Sequence, residues 1–75
     1  IIHYGLPVVC QVKVSILNSH GKIIRILFSK RQLPGIRTIY WDGTDESGRS
    51  VPPGIYFVCV KAGNYVKTNK IVLTK

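Results

Sequence analysis

All three carboxylate side chains of this chain fall within five consecutive positions, Asp42, Asp45 and Glu46 of D-G-T-D-E at 42–46. Such a cluster offers oxygen donors for calcium, or an acid and a base for hydrolytic chemistry. Calcium takes about six to eight oxygens, and three carboxylates with nearby carbonyls supply only part of that set. The run D-G-T-D-E-S-G departs from the D-x-[DN]-x-[DN]-G calcium loop and lacks its closing Glu. Asp42, Asp45 and Glu46 therefore stand as an incomplete calcium set, and the expectation is a metal-free turn. A catalytic carboxylate pair needs a cleft and one member of raised pKa, and a hairpin-like loop on so short a chain offers little cleft. Turn chemistry fits the segment better. Asp-Gly at 42–43 and Ser-Gly at 47–48 are turn dipeptides, and Asp42 and Asp45 can each accept bonds from backbone amides just ahead of them.

The remaining reactive groups are scattered. His3 and His20 stand too far apart in sequence to read as a metal pair. Cys10 alternates with Val12, Val14 and Ile16, an inward set, whereas Cys59 alternates with Ile55 and Phe57 on an outer face. A disulfide is not expected from that parity; a bulge that reversed one strand's alternation is the alternative. Tyr40, Phe57 and Tyr65 are placed on outer faces, where they could stack on sugars, although cover by neighbouring strands or a preceding domain is the plainer reading. No nucleophile–base pair or metal cluster is visible, so neither enzyme activity nor a cofactor is expected.

Eleven Lys and Arg against three acids give a formal charge of +8 on 75 residues. That charge favours anionic surfaces. The cations are spread singly, apart from Lys30-Arg31, and no recognition helix, zinc-finger spacing or aromatic ribonucleoprotein motif accompanies them. Sequence-specific nucleic acid is therefore not an expected partner. Solvation of outer strand faces is the plainer use of the charge, and an anionic polysaccharide is kept as a possible ligand. No run approaches the roughly 20 apolar residues of a membrane helix. A chain of this size makes one domain that buries only about 60% of its unfolded surface. Without an initiator Met or a signal peptide, residues 1–75 read as a mature fragment or an excised module.

The elements that must position these groups are strands. Residues 8–17 alternate cleanly. N-S-H-G at 18–21 is a turn in which Gly21 is free to take positive φ. Residues 22–28 form the second arm, broken by S-K-R-Q-L-P-G. Residues 35–41 follow, with Arg37, Ile39 and Trp41 on one face. Residues 55–61 and 65–74 are joined by a tight A-G-N turn. The opening I-I-H-Y-G-L is a short edge strand ended by Pro7. The fold class is all-β, a small antiparallel sandwich of six to seven strands. Val12, Val14, Ile16, Ile39, Trp41, Tyr56, Val58 and Val60 are its expected core.

The stretch W-D-G-T-D-E-S-G-R-S-V-P-P-G-I-Y-F at 41–57 resembles the signature of the immunoglobulin-like module of the flagellar hook-capping type, which overlaps with the C-terminal sorting domains of type IX secretion. The flanks agree: V-K-V-S-I-L-N-S-H-G-K-I-I-R-I-L resembles the family's hairpin, and K-T-N-K-I-V-L-T-K its Lys-rich terminal strand. The usual Tyr-Pro-Asn-Pro lead-in is missing, and Leu17 stands where a Tyr is common. The physical sense of the pattern is structural. Trp41 and Tyr56 fill the core, with the Tyr56 hydroxyl free to reach a backbone partner. Asp42, Gly43 and Gly48 shape turns, and Gly54 lets the chain enter its strand without a Cβ clash.

The resemblance implies a non-enzymatic C-terminal sorting and attachment module, read by secretion or surface-anchoring machinery at the bacterial cell surface. Gly54, Tyr56, Lys70, Val72 and Lys75 are its candidate recognition residues. The alternative is a structural spacer or building block of an extracellular appendage or fibre, whose partners are neighbouring copies or domains. A glycan-binding module rests only on the outward aromatics.

Overall fold

The computed structural model describes residues 2–6, 10–32 and 35–74, with the side chains of 3–6, 10, 32 and 35–37 outside the description. Six strands are found among the described residues: β1 (Ile2–Leu6), β2 (Cys10–Leu17), β3 (Ile23–Gln32), β4 (Gly35–Ile39), β5 (Gly54–Ala62) and β6 (Tyr65–Leu73). They form a four-stranded sheet in the order β3-β2-β5-β6 and a two-stranded sheet of β1 with β4. Every pairing is antiparallel.

The core follows from strict alternation on the two central strands. Val12, Val14 and Ile16 of β2 are fully buried, and Tyr56, Val58, Val60 and Ala62 of β5 share their face. The register sets them side by side as Val12↔Ala62, Val14↔Val60 and Ile16↔Val58. Ile2 from β1 and Val51 from the loop before β5 join the same cluster, and Ile39 of β4 packs against it. Both sheets therefore contribute to one body of apolar side chains.

On β3 the alternation is interrupted. Its register against β2 shifts between Val14 and Ser15, and again between Ile16 and Leu17. Leu27 and then Ile24 become the extra residues, as at β-bulges. This is why Ile24, Leu27 and Phe28 all pack against the core, which a period of two forbids. It also brings Arg25 opposite Ile16, at a core-face position.

Two turns use glycine for its backbone freedom. Gly21 has φ 81° in the β2–β3 turn, where Asn18 Oδ1 accepts from His20 N at 2.9 Å and Lys22 N at 3.0 Å. Gly63 has φ 61° at the first central position of the two-residue turn between the paired Ala62 and Tyr65, the place a type II′ hairpin reserves for Gly.

Several expectations need correction. β3 does not end at Phe28: it runs on through Ser29-Lys30-Arg31 to Gln32, because residues 28–32 stay in register with β2. β4 ends at Ile39, so Trp41 lies beyond the strand. Ile39 and Trp41 are half-buried rather than buried. Cys59 occupies the outer face as expected, yet it is 7% exposed, beside Ser15 at 3%. These are small side chains on central strands, set among the larger Leu17, Ile26 and Phe57 at adjoining register positions. Cys59 is a free thiol. Cys10 lies five positions along β2 from Ser15, the register partner of Cys59. At about 3.3 Å per residue that is far beyond disulfide reach.

The division between the two faces is measurable by mutation. Ile16→Ala should cost about 2–5 kcal/mol, the range for a fully buried aliphatic side chain. Ile26→Ala, on the outer face and 41% exposed, should cost well under that. Urea unfolding of the two variants checks the ranking, and equal losses would contradict the assignment of the core face.

Candidate functional site

The acid-rich signature lies between β4 and β5 and folds into a compact loop tied to both sheets. It begins with Trp41. The indole Nε1 donates to Thr44 O at 2.8 Å, and the ring meets Tyr56 edge-on, with centroids 5.3 Å apart and planes at 66°. Edge-to-face is the favoured geometry for such a pair. Across the loop, Tyr56 Oη donates to Pro52 O at 2.6 Å, which pins the Pro52-Pro53 return onto the start of β5.

Asp42 comes next. Its Oδ1 accepts from Thr44 N at 3.1 Å and from Thr44 Oγ1 at 2.5 Å. It also pairs with Arg25 Nη1 at 3.1 Å, and the same nitrogen donates to Thr44 Oγ1. The Thr44 hydroxyl has the largest effect on the Asp42 carboxyl; desolvation opposes it, and the Thr44 amide and the Arg25 charge then help to hold the carboxyl below its ordinary value. Gly43 is buried with φ 79°, and a Cβ there would touch Leu73 Cδ1 at 3.4 Å. Its carbonyl accepts from Val51 N at 2.9 Å, and Thr44 bridges Ser50, so the loop is a miniature hairpin.

Asp45 organises the hairpin's tip. Its Oδ1 accepts from Ser47 N at 3.0 Å, Ser47 Oγ at 2.7 Å and Arg49 N at 3.0 Å. The Ser47 hydroxyl and then the Arg49 amide lower its pKa. Gly48 completes the turn with φ 86°. Glu46 points elsewhere. Its amide donates to Ile24 O at 2.9 Å, and its Oε2 accepts from Ile26 N at 2.8 Å. β3 is an outer strand of its sheet. At Ile24 and Ile26, Glu46 thus stands in for a neighbouring strand, its carboxylate serving where a carbonyl would.

Each acid is held by donors from its own chain, in three different places. No group of three or more His, Cys, Asp or Glu side chains that could hold a metal ion occurs among the described residues. A shallow, open depression beside the loop is lined by Asn18, Lys22, Ile23, Ile24, Asp45, Glu46 and Ser47; it is not an enclosed cleft. Within the described residues the arrangement satisfies backbone donors and acceptors and pairs one guanidinium, that of Arg25, with Asp42.

The proposed recognition residues do not meet on one surface. Tyr56 faces the core. Lys70 and Val72 are exposed and pair with Phe57 and Ile55 on the outer face. Lys75 lies outside the described residues. Gly54 needs a correction of reason: nothing lies within 4 Å of where its Cβ would stand, and its φ of 153° is what favours glycine. The three aromatics do not assemble either. Tyr40 is 72% exposed beyond β4 and Tyr65 55% exposed at the far end of β6, while Phe57 is half-buried on the outer face of β5.

Sequence reading missed Arg25, Val51 and the role of Glu46. Val51 carried the one weak signal, an apolar residue amid turn residues. Arg25 was counted among solvating charges because the bulge that turns it to the loop has no sequence mark. The bond from Ile26 to Glu46 spans 20 positions and exists only in the fold.

Comparison with known proteins gives one family. The sequence model of the FlgD Ig-like domain matches residues 7–65. Two curated relatives, each a basal-body rod modification protein FlgD, come from Salmonella typhimurium and Salmonella typhi; each is 32% identical over 54 residues. The match takes in 72% of this chain but 23% of each relative, so the chain spans about a quarter of their length. No solved structure matches it. These matches correct the expected C-terminal sorting and attachment module: the family found is flagellar, the named relatives are rod modification proteins, and the overlap with type IX sorting gains nothing from either.

Two measurements test the loop. Both Asp carboxyls are depressed in the fold, so the stability they contribute is present above their ordinary value of 3.8 and is lost as pH falls through the lower folded values. The urea midpoint should therefore drop with acidification below that value. Asp45→Asn should flatten the drop; an unchanged profile would contradict the assignment. Calcium should leave Tm unchanged at millimolar concentration, and a rise of several degrees that magnesium does not reproduce would overturn the metal-free reading.

Proposed function

The chain belongs to the FlgD Ig-like domain family, and from that premise we propose that it is a non-enzymatic structural module, a building block of an extracellular bacterial appendage. The observation that carries this reading is the use of the family signature. Trp41, Asp42, Gly43, Asp45, Glu46, Gly48 and Tyr56 are engaged in shaping the loop and closing a sheet edge. A signature so occupied defines a shape that can be built into an assembly, and leaves little of itself to bind a substrate.

The reading has four parts. The two sheets, sharing one cluster of apolar side chains, form an immunoglobulin-like sandwich. Residues 1–75 are a single domain of a larger protein, as the short span on its relatives supports. Its partners are neighbouring protein components of the appendage, in keeping with relatives named for modification of the basal-body rod. It is secreted from the bacterial cell or held at its surface.

The test is genetic and biochemical. Deleting the coding region of the chain in its own bacterium should arrest assembly of an extracellular appendage while export of unrelated proteins continues. The domain should also be recoverable, by antibody, from assembling appendage material. Normal appendages in the deletion strain would sink the proposal.

A further inference from the structure

The two outer edges of the four-stranded sheet are treated differently. At β3 the chain closes its own edge, with Glu46 bonded to Ile24 and Ile26. At β6 nothing comparable happens. Among the described residues no backbone or side-chain partner lies along its outer side, and six of its nine residues in a row, Tyr65 to Lys70, are exposed. The free groups can be assigned. Ala62 and Tyr65 flank a two-residue turn, and Gly63 N donates across to Gln11 O at 3.2 Å, so odd positions of β5 bond to β2 and even ones to β6. By the alternation of an antiparallel ladder, the N–H and C=O groups of Val66, Thr68, Lys70 and Val72 point away from β5, toward solvent.

We propose that this edge is a docking site for an extended, acid-bearing strand of another protein, added antiparallel or parallel to β6 by main-chain hydrogen bonding. The backbone supplies affinity in this mode, and side chains at alternate positions supply selectivity. The selectivity here is electrostatic. Lys67 and Lys70 are three positions apart, so they project to opposite faces of the sheet. Lys67 lies across from Val60, and Lys70 across from Phe57. Neither has an ion-pair partner among the described residues. A strand bearing Glu or Asp at the same three-residue spacing would meet a cation on each face, and apolar or β-branched residues on it would cover the exposed Val66 and Val72.

A second copy of the chain is the poorer occupant. Its own β6 carries the same Lys67 and Lys70 and no acid, so pairing two such strands adds like charge and supplies no anion for either lysine. Its three acids sit in the loop at 42–46, each held by internal donors. Lysines can also guard an edge against pairing. A guard repels cationic and neutral strands alike and gives no selective, saturable binding of an acidic one.

The inference deepens the structural-module reading by naming how a neighbour attaches, and its test is separate from the deletion strain. The probe is a Thr-rich peptide as long as β6, nine residues, with two Glu three positions apart; a second peptide carries Lys in their place. Both are titrated into the intact chain and followed by backbone amide NMR. The acidic peptide should bind saturably, with the largest shifts at Val66, Thr68, Lys70 and Val72, and the Lys peptide about tenfold more weakly or not at all. Thr68→Pro removes an outward N–H while leaving the ladder to β5 intact, a position where an edge strand tolerates Pro; it should abolish binding. Lys70→Glu keeps every backbone group and, with Lys67 still in place, should abolish the preference between the peptides. No binding of the acidic peptide, shifts centred away from β6, an unchanged preference in Lys70→Glu, or a dimer of the chain alone by sedimentation would each overturn the proposal.

Discussion

The constraint on which the domain turns is the pairing of backbone groups at the outer edge of β3. A strand at a sheet edge exposes donors and acceptors that either meet a partner or invite one. Here the partner is brought from 20 residues away. To reach Ile24 and Ile26, the segment after β4 must leave its strand at Ile39, turn twice and run beside β3 before returning to β5. Asp42 and Asp45 hold those turns by accepting amides just ahead of them. Gly43 and Gly48 supply positive φ at the bends. The bulges in β3 turn Arg25 toward the same loop, where it pairs with Asp42 and reaches Thr44. The crowding of all the acids into 42–46 follows from this: they are where backbone amides and one guanidinium need oxygen acceptors.

That placement has an electrostatic consequence. A formal charge of +8 already leaves eight cations beyond balance. With Asp42 paired to Arg25, and Asp45 and Glu46 bonded to amides, the cations of β5 and β6 have no ion-pair partner among the described residues. The strand faces around Lys61, Lys67 and Lys70 are thus more uniformly positive than the composition alone conveys. Such a surface steers toward acidic protein rather than toward itself.

How much of this was legible in the sequence depends on the range of the interaction. β2 and β5 were legible because Val12-Val14-Ile16 and Tyr56-Val58-Val60 repeat with a strand's period, and burial of one face fixes that period. The turns at Gly21 and Gly63 were legible because the demand for positive φ is local. The loop's turn chemistry was legible for the same reason, since Asp42 and Asp45 bond within four positions of themselves. The end of β3 was not: Ser29-Lys30-Arg31 look like a break, and only pairing with β2 makes them strand. Nor was the closure of the edge by Glu46, because a glutamate that caps a distant strand has the same local sequence as one that solvates a turn. Cys59 shows a third limit. Its face was predicted and its burial was not, since burial on an outer face depends on which larger side chains stand beside it.

The small second sheet explains why the loop must be so rigid. Two strands alone make a marginal structure in water, and β1 with β4 cannot cover a face four strands wide. Trp41, Val51 and the Tyr56 ring belong to the same apolar cluster as Ile2 of β1 and Ile39 of β4, and all three are placed by the loop or its hinge. The Trp41 indole bonds within the loop to Thr44, and the Tyr56 hydroxyl closes it again at Pro52. Had the loop been soft, these side chains would have moved with it and the core would have loosened around them. The hydrogen bonds that shape the acidic hairpin therefore act on the core through two aromatic rings. That link between a polar loop and an apolar interior is what lets so short a chain keep a defined shape, with one sheet edge shut by its own residues and the other presented along β6.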